Sequence, residues 1–142
     1  MSISICIYRR YDKKNISCIP GAMAYSRICA DEINIFNKPA RLLVAGYSNS
    51  GKTFLVQKIV KKYKAVFNKI IILGSDFEDS TDLNITRDDE FNPFQEHLTG
   101  QTLIIFDDVI FNKKLISLAG EIFFRGRHLN ISSIFITQNL FF

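Results

Sequence analysis

The chain has 142 residues, about one domain, and 47% of them are hydrophobic, enough for a core. No apolar run nears the ~20 residues of a membrane span; Met1 to Tyr8 is short, with no basic residue ahead of it, and makes a poor signal peptide. Three cysteines (Cys6, Cys18, Cys29), odd in number and without a CxxC, indicate neither a disulfide framework nor a zinc site, and a net charge of +4 leaves room for an anionic partner.

Residues 1–38 show no clear period and read as a leader to which the pattern assigns no structure. Arg9, Arg10, Lys13 and Lys14 cluster around Tyr8 and Tyr11. Such a cluster suits either nucleic acid or a plain solvated face. Pro20-Gly21 marks a turn, and the weakly patterned run Ala22 to Phe36 is a candidate helix. Asn37-Lys38-Pro39 closes the leader.

Next comes Arg41-Leu42-Leu43-Val44-Ala45, a short apolar run expected to be a buried strand. It leads into Gly46-Tyr47-Ser48-Asn49-Ser50-Gly51-Lys52-Thr53, which fits the phosphate-binding pattern G-x-x-x-x-G-K-[ST]. Gly46 and Gly51 let the backbone turn tightly beside a polyphosphate. The amides of Asn49 to Thr53 are expected to form an anion nest at a helix start. Lys52 is expected to reach the β- and γ-phosphates, and the Thr53 hydroxyl to ligate Mg²⁺. In Phe54 to Phe67, Leu55, Val56, Ile59, Val60 and Tyr63 keep helical spacing, with Lys58, Lys61, Lys62 and Lys64 on the other face. Lys69 to Leu73 reads as a second buried strand, ended by Gly74-Ser75-Asp76.

Between Gly74 and Gln101 lie eight acids and one base, leaving 17 bases and 6 acids elsewhere, a net +11. A body this basic fits a polyanion or a merely soluble surface. Leu83 to Thr86 suggests a short strand. Phe91 to Leu98 suggests a short strand or helix, with Pro93 against either; His97 reads as a surface or packing residue. Thr102-Leu103-Ile104-Ile105-Phe106-Asp107-Asp108 is an apolar strand delivering acids at its carboxyl end. Asp107 is expected to hold Mg²⁺, and Asp108 to orient or deprotonate an attacking water. From Lys113 a helical stripe runs through Leu115, Ile116, Leu118, Ala119, Ile122 and Phe123. Ile131 to Thr137 reads as a further strand ending at Gln138, either a γ-phosphate sensor or a loop amide. Arg125 and Arg127 are candidates for a finger reaching a neighbouring subunit's nucleotide, Arg127 the preferred one; DNA and solvent are the competing assignments.

GYSNSGKT, LIIFDDV and FRGRHLNISSIFITQ together resemble the genome-packaging ATPases of poxviruses, other large DNA viruses and Polinton elements, in the FtsK–HerA group of P-loop motors. The resemblance covers 39–142 and not 1–38. It implies an oligomeric ring that hydrolyses ATP with Mg²⁺ and drives double-stranded DNA into a capsid, inside a host cell or its virus factory. By motif match, Lys52, Thr53, Asp107, Asp108 and Gln138 take the phosphate, metal, Walker B and sensor roles. Asp108 stands where the wider group commonly has Glu, and such motors continue past the point where this chain stops. An exposed sheet edge and low solubility are therefore expected. A nucleotide-binding remnant without turnover is the alternative. A small-molecule kinase is less favoured, since no arginine-rich lid follows the motifs. The expected fold is a three-layer α/β domain with a mainly parallel sheet, incomplete at its carboxyl end, in which the family places the Ile131 strand between the Arg41 and Thr102 strands.

Overall fold

The computed structural model describes residues 3–8, 17–20, 35–74, 85–88 and 90–138. The strands are β1 (Ile3–Tyr8), β2 (Ser17–Pro20), β3 (Arg41–Gly46), β4 (Lys69–Gly74), β5 (Ile85–Arg87), β6 (Thr102–Asp107) and β7 (Ile131–Thr137); the helices are α1 (Lys52–Tyr63) and α2 (Lys113–Arg125). One sheet runs in the order β2-β1-β3-β7-β6-β4-β5. From β3 to β5 every neighbouring pair is parallel, while β1 is antiparallel to both β2 and β3. The molecule is thus an α/β fold on a mainly parallel sheet.

The central strands are mostly apolar because both their faces are covered, and the polar Thr102, Ser132, Ser133 and Thr137 among them are buried as well. All six residues of β6 are buried. On one face, Leu55, Val56, Ile59, Val60 and Tyr63 of α1 pack over Leu42, Val44, Ile70, Ile72, Leu103, Ile105, Ile134 and Ile136. Phe36 closes that cluster, edge-on to Tyr63 and Phe67 with ring centroids 5.3 and 4.9 Å away. On the other face, Leu115, Ala119 and Ile122 of α2 pack with Ile71, Leu73, Ile104, Phe106 and Ile131, and Phe106 stacks on Phe135 at 4.6 Å.

β7 lies between β3 and β6, as the family pattern implied: Leu43 stands opposite Phe135, and Ile105 opposite Ile134. The leader contributes more than its pattern suggested. β1 pairs with β3 over six residues, from Ile3 opposite Gly46 to Tyr8 opposite Arg41. The alternation Ile3-Ser4-Ile5-Cys6-Ile7-Tyr8 is a period-two signal that the reading of the leader as unpatterned passed over. Among the described residues the sheet ends at β2 and β5, so β3 is an inner strand.

Other expectations shift in detail. The edge strand near residue 83 appears as Ile85–Arg87. Phe91 to Leu98 is neither strand nor helix. The Asn92 Oδ1 accepts from the Phe94 amide at 3.0 Å, a local turn that competes with regular structure, and buried Phe91 anchors the segment with Phe94 and Leu98 under α2. His97 is exposed, a surface residue as expected. The apolar stripe of α2 is narrower than its spacing suggested. Ile116 stays 44% exposed, and Phe123 lies 5.1 Å beneath the Arg41 guanidinium. Both border an apolar groove of about 450 Å³ between α2 and the Leu43 and Phe135 side of the sheet. The candidate helix near residue 22 lies outside the described residues, apart from Ile35 and Phe36, which form a turn. So do Phe141 and Phe142.

Candidate functional site

Parallel strands carry their carboxyl ends to one rim, and that rim is where open α/β sheets bind ligands. Here the register sets Ala45 of β3 opposite Thr137 of β7, and Ile136 opposite Asp107 of β6. The root of the glycine loop therefore stands two strands from Asp107, a backbone gap of about 10 Å at the usual strand spacing. Between them opens a cleft of about 200 Å³ lined by Ser48, Asn49, Lys52, Thr53, Asp107, Asp108, Ile136, Thr137 and Gln138. Residues as far as 90 positions apart in the chain, Ser48 and Gln138, thus meet at one place.

The loop has an anion-receiving geometry. Asn49 and Gly51 are left-handed, with φ of 59° and 87°, and Ser50 between them is not. Such alternation turns successive amides inward as a nest. Gly51 begins α1 with no side-chain cap, and no acid stands in the first turn. The amides and dipole at that end are left for an anion. α2 differs: the Asn112 side chain accepts from the amides of Lys114 and Leu115 at 3.1 and 3.2 Å, and its own end is satisfied.

Lys52 is 8% exposed and donates from Nζ to the Tyr47 carbonyl at 2.7 Å. Burial pushes its amine below the usual lysine value, and the Asp107 and Asp108 carboxylates oppose that shift. A cation that is buried gains from an incoming anion. Asp107, 4% exposed, ends β6. Asp108 follows in a left-handed conformation, φ 48° and ψ 43°. Aspartate tolerates that region better than most residues do. The Asp108 amide is tied to the Ile136 carbonyl at 3.3 Å, and its Oδ2 accepts from Gln138 Nε2 at 3.4 Å. The two residues anticipated as water-activating acid and sensor are direct neighbours.

Gly46, Tyr47, Ser50 and Gly51 belong to the loop without lining the cleft, and the Tyr47 carbonyl rather than its ring serves Lys52. Arg127 lies elsewhere. It sits in the 3₁₀ turn after α2, just before β7 begins, and its Nε donates to His128 Nε2 at 3.3 Å. β7 separates that turn from the cleft by about 20 Å. Arg125 is there too, over the Phe94 ring at 5.0 Å.

Gly74 is a site-supporting residue that pattern reading passed over as a strand end. It faces Asp107 across the β4–β6 ladder with φ 113°. A Cβ there would overlap the Asp107 carbonyl oxygen. Only the register, which pairs β4 with β6, exposes that requirement.

The donor set fits a magnesium-bound triphosphate: a nest with an uncapped helix end, one desolvated lysine, a hydroxyl at Thr53 and a carboxylate at Asp107 facing the same cleft. Among the described residues, no helix is long and apolar enough to cross a membrane. The chain gives no match to a family model, to a curated protein or to a solved structure.

Proposed function

We propose that this chain is the ATP-hydrolysing core of a P-loop motor that moves double-stranded DNA, of the genome-packaging kind. The observation that carries the reading is the single cleft shared by Lys52, Thr53, Asp107, Asp108 and Gln138. The nest and Lys52 hold the triphosphate. Mg²⁺, held by Thr53 and Asp107, would neutralise charge on the β- and γ-phosphates. Asp108 takes the proton of the attacking water or aligns it, and Gln138, in contact with Asp108, couples that acid to the γ-phosphate position. Support for DNA as the track is the sequence resemblance and the net +11 outside the acidic segment. The ring rests on the sequence resemblance alone; Arg127, at the opposite rim, would serve catalysis only by reaching a neighbour's cleft. Capsid proteins are the partners the same reading implies.

The test is phosphate release from ATP with and without duplex DNA. Turnover stimulated by duplex and abolished in Lys52→Ala is expected. Turnover that ignores DNA would leave an ATPase without the motor. Nucleotide binding without any turnover would favour the second reading, a non-hydrolysing binder. The short Asp108 carboxylate, already engaged by Gln138, is the observation in its favour.

A further inference from the structure

The polyphosphate reading leaves open what recognises the rest of the nucleotide. We infer that Phe54 is a stacking platform for a purine base, so that the ligand class is a purine nucleoside triphosphate; this rests on the cleft being a triphosphate site. Lys52, Asp107, Asp108 and Gln138 fix the reacting end of the ligand on the β6 and β7 side. With the reacting end held there, the first turn of α1 offers the nucleoside end a way out. Thr53 is the last loop residue lining the cleft, and Phe54 is the next residue along.

Phe54 is 57% exposed and belongs to neither apolar cluster. Scattered exposed apolar residues are ordinary, but this ring also has a cation set against it. Lys58, one turn further on, sets its amine 5.2 Å from the ring centroid. A cation over the ring biases its orientation modestly at an exposed site, and more than half of the residue stays open to a ligand. Base–aromatic stacking draws on an open ring face without a hydrogen-bond code, and its strength grows with ring area, which favours a purine over a pyrimidine. Tyr47 is more exposed, at 72%, but its contact with the site is through its carbonyl, which accepts from the Lys52 amine.

Calorimetry with ATP, CTP and inorganic tripolyphosphate on the intact chain and on Phe54→Ala tests the inference. Phe54→Ala is expected to bind ATP about tenfold more weakly, to bind tripolyphosphate unchanged, and to lose the preference for ATP over CTP; Phe54→Tyr restores all three. Equal weakening of ATP and tripolyphosphate, or no weakening of ATP, overturns the stacking role while the phosphate site stands. If the intact chain binds neither ATP nor tripolyphosphate, the underlying site reading fails and this inference fails with it.

Discussion

Lys52 carries its charge where little water reaches it. Its pKa lies below the ordinary 10.5 because burial outweighs the help of Asp107 and Asp108. A bound triphosphate favours the charged form and raises that pKa again. Binding therefore takes up protons in the alkaline window between the free and bound values, and ATP affinity falls as pH rises through the lowered free value. Calorimetry in two buffers of different ionisation enthalpy reads the proton uptake directly; uptake that is unchanged in Lys52→Ala would assign it to another group. Asp108 makes a separate claim. Asp108→Asn keeps the side-chain size and a partner for Gln138 but removes the carboxylate proposed as the base. ATP binding should persist while turnover drops by about 100-fold or more, as single-turnover phosphate release would show.

At the scale of elements, the site depends on how β4, β6 and the two helix starts are built. Gly74 lets β4 run against Asp107. Gly74→Ala adds an overlap with backbone to a strained φ, and should cost about 2 kcal/mol or more in urea unfolding while weakening metal-dependent nucleotide binding. The helix starts behave oppositely. Asn112 caps α2, so Asn112→Ala should cost about 1 kcal/mol. Gly120, inside α2 with open space around a would-be Cβ, should give back about 0.5–1 kcal/mol when changed to Ala. The two substitutions in one helix form an internal control on the same denaturation curve.

For the whole molecule, charge and topology work on different distances. The base excess outside the acidic segment is a long-range feature, and counterion release makes its effect on DNA steeply salt-dependent. Duplex binding measured by anisotropy should weaken by about tenfold or more between 50 and 200 mM salt. An affinity flat with salt would remove DNA as the track while leaving nucleotide binding untouched. Topology acts at short range. With β1 laid along β3, the strand that roots the glycine loop is an inner strand, paired on both sides, and the loop gains a fixed base.

What the sequence determined by itself was local chemistry. A glycine-framed loop ending in Lys52-Thr53, an apolar strand ending in Asp107-Asp108, and the helices that follow each are short-range patterns, set by residue spacing and turn chemistry within a few positions. β7 was legible as a strand for the same reason, and its place in the sheet only through resemblance. Tertiary structure decided the rest because strand pairing joins residues far apart in the chain, and nothing in a run of isoleucines says which neighbour it meets. That pairing made Gly74 a neighbour of Asp107, brought Gln138 to Asp108, turned the leader's first strand into part of the sheet, and set Arg127 at the far rim.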